Sequence, residues 1–301
     1  MKNTSERLSV IAIIASGILW GIISLFIRPL YSLGLNLQQV VLLRCSLSSL
    51  LLGACLAIFS PGSLKIRMRD IWMFIGTGVI SMFSFSNFYF YTVTRGYAAV
   101  GGVLMYTSPA FIMFFSTLLF KERITASKLS ALLLMLAGCV LVSGIIGSGA
   151  VLPPDILACG VASGFFYGLY SIFGKYAGRK YKAPTITFYT FLFAATACIC
   201  QGQLPSAASK CLAVPKLVPY ALGAALFSTV LPYFLYTLGL GHVAAGRAAI
   251  LVAVEPMVCA ILGMCVYGEE HGAMRLAGIA AILVAVVMLS LPSKETAESS
   301  D

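Results

Sequence analysis

The chain has 301 residues, 60% of them apolar and 10% charged, with a mean hydropathy of +0.97 and a formal net charge of +10. Soluble domains carry about a quarter charged residues, so this composition excludes a soluble enzyme, a disordered scaffold and a nucleic-acid binder. The positive charge follows membrane topology instead, which makes the lipid bilayer the first partner.

A helix needs roughly 20 mostly apolar residues to cross the ~30 Å hydrocarbon layer. Ten such runs are predicted, over 9–29, 37–59, 71–92, 98–120, 127–147, 154–176, 184–203, 216–238, 245–267 and 273–291. They are continuous and too long for the alternating strands of a membrane β-barrel. The first follows Lys2 and Arg7 but outruns a signal peptide, so it is read as a helix. With the N-terminus inside, 13 Lys and Arg fall on the cytoplasmic side and 5 on the other. This asymmetry places both termini in the cytoplasm of a multi-pass plasma-membrane protein.

In chain order, the first span carries Trp20 and a Gly17-xxx-Gly21 face suited to close helix packing. The second holds Arg44 within its apolar run. An ionisable group there costs about 2.5–3.5 kcal/mol to insert and must meet a cavity or a partner. Arg44 is either a bidentate site for a substrate carboxylate, a partner of Glu255, or a tie for helix-end carbonyls. The third span collects Ser81, Ser84, Ser86, Asn87, Tyr89 and Tyr91. The fourth contains Pro109, read as a midspan hinge because an interior proline removes a backbone donor, and ends at Glu122. The sixth repeats the small face as Gly160-xxx-Gly164-xxx-Gly168 beside Tyr167. The eighth supplies Ser228, Thr229, Tyr233, Tyr236 and Thr237. Together these groups predict a polar, aromatic interior for a small-molecule substrate.

The ninth span holds Arg247, Glu255 and Pro256. Glu255 either handles a cationic group or a proton, or pairs structurally with Arg247 or Arg44. Arg247, in the first turn, is expected to snorkel to the interface. Pro256 is the second hinge. Glu122 and Glu269 end their spans and are expected to pair with Lys128 and Arg275.

A shift of 147 residues aligns the two halves without a gap. Trp20 meets Tyr167, Ser24 meets Ser171, Ser81 meets Ser228, Tyr89 meets Tyr236, Pro109 meets Pro256 and Glu122 meets Glu269. Five spans per half is an odd number, so the second half enters the membrane upside down. Inverted repeats are characteristic of secondary transporters, whose site lies between the halves near the midplane. The repeats are assigned to 9–147 and 154–291. The fold class is therefore all-α, ten transmembrane helices in two inverted five-helix repeats.

Several stretches carry a more specific likeness. They are Leu19-Trp20-Gly21, Arg44, Ser108-Pro109-Ala110-Phe111, Phe120-Lys121-Glu122-Arg123, Val254-Glu255-Pro256-Met257, Gly268-Glu269 and Leu276 to Leu283. The chain resembles the EamA-type members of the drug/metabolite transporter superfamily over residues 9–291. The resemblance implies a basket of two inverted halves around a central cavity, with the fifth and tenth spans peripheral. It also implies transport of small metabolites, with export of amino acids or related compounds favoured. Tyr167 stands where many relatives carry Trp.

The substrate-binding candidates are Trp20, Arg44, Asn87, Tyr89, Tyr167, Tyr236 and Glu255, with Pro109 and Pro256 as hinges. No cofactor, metal site or catalytic group is expected. The nine cysteines form no CxxC pair, and His242 and His271 are the only histidines. Uptake or exchange of a nucleotide-linked or sugar compound is the alternative, and an intramembrane enzyme or non-transporting scaffold the reading from another class. Proton coupling and a homodimer stay open.

Overall fold

The computed structural model describes residues 2–95, 98–146, 152–268 and 272–290. Among the described residues ten helical spans are long and apolar enough to cross a membrane: Ser5–Ser32, Leu37–Phe59, Met68–Thr94, Val100–Phe120, Ala126–Ser143, Pro154–Gly178, Ala183–Cys200, Leu217–Leu240, Ala245–Tyr267 and Ala273–Ser290. Their bounds lie within a few residues of the predicted runs. Glu269, His271 and the tail from 291 onward fall outside the described residues, as does the last residue predicted for the fifth span.

Local chemistry sets the span ends. Asn36 opens the second span with a capping box, its Oδ1 accepting from Gln39 N at 2.8 Å while Asn36 N donates to Gln39 Oε1 at 3.0 Å. The Thr125 side chain accepts from Lys128 N to start the fifth. At the far end of the fourth span Lys121 takes a left-handed conformation, φ 56°, and 147 residues on Gly268 ends the ninth with φ 68°.

The sequence repeat reappears in the backbone. Ala126–Ser143 and Ala273–Ser290 have the same bounds after the 147-residue shift. The third and eighth spans each widen into a π-helical segment, Gly76–Phe83 and Leu226–Val230. The fourth and ninth are each interrupted, between Met105 and Ser108 and between Leu251 and Val254. One difference stands out: the first span breaks between Gly21 and Ser24, whereas the sixth runs unbroken.

Packing follows the same exchange of halves. The first span packs on the eighth and ninth, and the sixth on the third and fourth; the second meets the seventh and the fifth meets the tenth. The fifth and tenth are the least buried of the ten. Glycines set the closest approaches. A Cβ at Gly17 would lie 2.6 Å from the Val252 carbonyl oxygen, and one at Gly164 would lie 2.7 Å from that of Leu104. Each small face thus seats against the interruption of a span in the opposite half, where only glycine leaves room.

Candidate functional site

The prolines were expected to kink continuous helices. Instead the backbone breaks just upstream, and each proline sits in the first turn of a new helix, where its missing N–H costs nothing. Ser108 and Pro109 open Ser108–Phe120, and Glu255 and Pro256 fall in the first turn of Val254–Tyr267. Glu255 is therefore carried at the start of a half-helix within the membrane.

Its carboxyl faces a cavity of about 420 Å³. The lining includes Ile23 and Ser24 from the break in the first span, Tyr89, Gly102, Met105 and Tyr106, then Cys139, Glu255 and Cys259, with Arg28 and Arg275 toward the rim. Among the described residues Glu255 forms no ion pair. The Tyr106 hydroxyl and, through space, the Arg44 guanidinium are its electrostatic neighbours. The Ser24 Oγ is inaccessible to water and has no hydrogen-bond partner among the described residues. Arg28 lies over the Tyr267 ring at 3.7 Å.

A second concavity holds only about 20 Å³. It is the counterpart of the first. Ile23, Ser24, Tyr89, Gly102, Met105, Glu255 and Cys259 answer, 147 residues apart, to Tyr170, Ser171, Tyr236, Ala249, Val252, Ser108 and Ile112, and all seven line the small void. Here the groups have closed on one another. Ser171 Oγ and Tyr236 Oη are hydrogen-bonded at 2.8 Å, and Tyr170 Oη and Thr237 Oγ1 at 2.6 Å. Trp20 packs edge-on against Tyr233 with centroids 4.8 Å apart and lies 5.6 Å from Tyr236. Ser108 occupies the place that Glu255 holds in the open cavity.

Beyond the closed void, the same side is fastened by polar links. Glu122 accepts from Lys175 Nζ at 2.5 Å and from the backbone N–H groups of Ala245 at 3.0 Å and Gly246 at 3.4 Å. One carboxylate thereby joins the ends of the fourth, sixth and ninth spans. Burial pushes the Glu122 carboxyl up, but Lys175 and the two amides outweigh it and hold the group below its ordinary value of 4.5. The expected pairing with Lys128 is not made, because the left-handed turn at Lys121 carries Glu122 inward while Lys128 Nζ donates to Arg123 O. Glu269, expected to pair with Arg275, lies outside the described residues.

Arg247 does not snorkel. It is 8% exposed, its Nε donates to Leu289 O at 2.7 Å, and its Nη1 pairs with Glu6. These partners come from the first and tenth spans, so Arg247 fastens the same side as Glu122.

The remaining candidates separate. Glu255, Tyr89 and Pro256 line the open cavity, while Trp20, Tyr167 and Tyr236 line the closed void. Pro109 stands beside Ser108 at the closed side. Arg44 lies elsewhere. Its Nε donates to Thr229 Oγ1 at 3.0 Å and its Nη2 to Ser228 O at 3.3 Å, tying the π-helical segment of the eighth span. Asn87 is held between Phe83 O and Gln201 Nε2 in a separate niche. Ser84 and Ser86 bond carbonyls of their own helix. Sequence reasoning passed over Tyr106, Cys139 and Cys259. The repeat aligns Tyr106 with Ala253, so no internal match marked it. Among the described residues no group of three His, Cys, Asp or Glu is placed to hold a metal ion.

Comparison with known proteins adds to this geometry. The EamA-like transporter family matches the chain twice, over residues 7–144 and 155–291. An uncharacterized transporter of Archaeoglobus fulgidus is 27% identical over 282 residues, covering 92% of this chain and 94% of its own length. The threonine/homoserine exporter RhtA of Escherichia coli is 28% identical over 254 residues, covering 82% of this chain and 79% of its own. A solved crystal structure superposes with a TM-score of 0.75 over 93% of this chain and 95% of that one, at 16% identity. That likeness establishes the fold.

Proposed function

Because the chain belongs to the EamA-like transporter family, we propose that it exports amino acids or closely related small metabolites across the plasma membrane by alternating access. The observation that carries this reading is the pair of matched concavities, one open around Glu255 and one closed around Ser108. In the proposed cycle they exchange volumes between two inverted repeats, 9–147 and 154–291. The lining of the open cavity comes from the ends of the first, third and fifth spans, the starts of the fourth and tenth, and the ninth from Glu255 onward. With both termini in the cytoplasm, that cavity faces outward and the void inward.

The substrate group we assign to Glu255 is an ammonium. A carboxylate inside the membrane without a paired cation needs compensation, since an isolated buried charge is costly. A substrate ammonium supplies it on one leg of the cycle and a proton on the return, which makes the proton the coupling ion. Tyr89 and Tyr106 complete a polar, aromatic wall. The likeness to a threonine/homoserine exporter supports a small hydroxylated amino acid.

The hydrogen bonds supply a switch. Ser171 and Tyr236 are bonded on the closed side, while Ser24, the counterpart of Ser171, has no partner among the described residues on the open side where Tyr89 stands. Closure of the Glu255 cavity pairs Ser24 with Tyr89, and opening of the other side breaks Ser171 from Tyr236. Pro109 and Pro256, each just after an interruption, mark the hinges. Arg28 and Arg275 on the rim favour a second reading, exchange or uptake of an anionic compound such as a nucleotide-linked sugar.

Counterflow into proteoliposomes separates the two. Vesicles loaded with pooled amino acids are expected to drive saturable labelled uptake that Glu255→Gln abolishes. Counterflow with the nucleotide-linked pool and none with amino acids would overturn the first reading in favour of the second. Equal non-saturable leak with every pool would remove the carrier reading altogether.

A further inference from the structure

A basic concavity lies away from the proposed transport path, on the Lys/Arg-rich side of the molecule. The second span ends at Phe59, the third begins at Met68, the sixth ends at Gly178 and the seventh begins at Ala183. The short connections between them enclose a space of about 470 Å³ lined by Lys65, Ile66, Arg67, Asp70, Lys180 and Tyr181.

This space is held in shape rather than formed by loose loops. Thr185 Oγ1 donates to Ser63 O at 2.9 Å and Tyr189 Oη to Leu64 O at 2.6 Å, pinning residues 60–70 onto the seventh span. Tyr181 Oη accepts from Arg67 N at 3.0 Å and donates to Asp70 Oδ2 at 2.8 Å. Asp70 also pairs with Lys180, so its charge is already met. Lys65 and Arg67 are different: neither side chain forms an ion pair or hydrogen bond with a described residue. Asp70 is also an electrostatic neighbour of Arg67, so a single carboxylate answers three cations and the preformed concavity keeps an excess of positive charge.

Its surroundings fix the depth at which an anion would be met. Ile58 is 72% exposed, Phe59 81%, Met68 81% and Trp72 47%. Apolar and aromatic side chains this exposed belong at the boundary between acyl chains and headgroups, where Trp is enriched. A monoanionic phosphodiester at this boundary, with its tails along Phe59 and Met68, satisfies both the cations and the apolar flank. Basic pockets between membrane helices hold anionic headgroups in this manner.

We infer that the concavity at Lys65, Arg67 and Tyr181 is a binding site for the headgroup of an anionic phospholipid, seated between the two halves of the chain. It bridges the 60–70 connection of the first half to the 179–182 connection of the second, so an occupying lipid fastens them together.

The test is native mass spectrometry of the purified full chain in detergent with equimolar phosphatidylglycerol and phosphatidylcholine. The wild type is expected to retain phosphatidylglycerol in preference. Each basic side chain near a surface is worth about fivefold in such binding, so Lys65→Gln combined with Arg67→Gln is expected to reduce the preference by roughly 25-fold. Lys121→Gln combined with Arg123→Gln removes the same charge from another connection and is expected to leave it intact. An unchanged melting temperature in phosphatidylcholine shows that the variants are folded. A preference that survives the Lys65/Arg67 substitutions, or falls equally in the control, overturns the site. Displacement of the lipid by millimolar inorganic phosphate, with no preference between the two lipids afterwards, assigns the concavity to a soluble anion and also overturns it. Because the readout is binding, the outcome does not depend on the transported substrate.

Discussion

The two concavities have the same architecture and opposite contents. Around Glu255 the lining stands apart and encloses about 420 Å³; around Ser108 the equivalent positions have collapsed to about 20 Å³. Residue size accounts for part of the difference, since Tyr170 and Ile112 stand in the closed void where the open cavity has Ile23 and Cys259. Tyr89 and Tyr236 are the same residue, as are Ser24 and Ser171, yet one pair is hydrogen-bonded and the other is not. Closure differs as well, and so does the charge at one position, where a carboxylate in the second half replaces a hydroxyl in the first. Repetition of the sequence thus supplies two matched concavities, and Glu255 makes them chemically unequal.

The strongest way to break this comparison is steric. A side chain at Gly17 would meet the Val252 carbonyl and the Val254 side chain. Gly17→Val is expected to cost more than about 2 kcal/mol by overpacking and to lower the melting temperature in detergent, while Gly102→Ala, with open space around it, leaves it unchanged. The next effect is chemical. Glu255→Gln removes a charge-assisted contact, expected to weaken binding of an ammonium substrate about 10- to 100-fold without changing the fold, as read by thermal shift with and without ligand.

Third, Glu122→Gln strands Lys175, which is 21% exposed at its side chain. Partial exposure screens the pair, so the expected loss is about 1–2 kcal/mol, less than a fully buried pair would give. It is read as faster alkylation of an Ile112→Cys thiol in the closed void. The pH dependence has a definite sign. A carboxyl held below 4.5 contributes stability that is present above its ordinary value and is lost as pH falls through the depressed one. Alkylation of that thiol, corrected for thiolate fraction, is therefore flat from neutral pH down to about 5 and rises only in stronger acid. The smallest effect is at the switch bond. Tyr236→Phe removes a hydrogen bond worth about 1 kcal/mol and is expected to raise alkylation at position 112 about fivefold, whereas Tyr89→Phe, whose counterpart bond is unmade here, is expected to leave it unchanged.

Much of this arrangement was legible in the sequence because its causes are local or periodic. Apolar run length fixed the ten spans, and the 147-residue shift paired Pro109 with Pro256, although it led to kinks there and not to breaks in the helix. The alignment of Ser24 with Ser171 and of Tyr89 with Tyr236 paired residues that line the two concavities, although the sequence pointed to one central cavity. The partners of charged groups were not legible. Lys175 lies 53 positions from Glu122, and Glu6 lies 241 from Arg247; no helical periodicity links groups so far apart. Arg44 found a hydroxyl and a carbonyl on a π-helical segment, a backbone form that composition does not announce. The hinges were placed at the prolines, yet the chain breaks two to four residues earlier, because proline is favourable inside a first turn and costly only where a helix continues through it.

The account turns on the two vestibules opening in alternation to opposite faces. The direct measurement is alkylation by a membrane-impermeant maleimide, applied from either side of right-side-out and inverted vesicles. It uses two otherwise cysteine-free proteins, one keeping Cys259 in the open cavity and the other carrying Ile112→Cys in its closed counterpart. The account predicts that Cys259 reacts from one face only and Ile112→Cys from the other only, and that adding transported substrate slows one as it speeds the other. Reaction of both from the same face, or rates that rise and fall together, would contradict it.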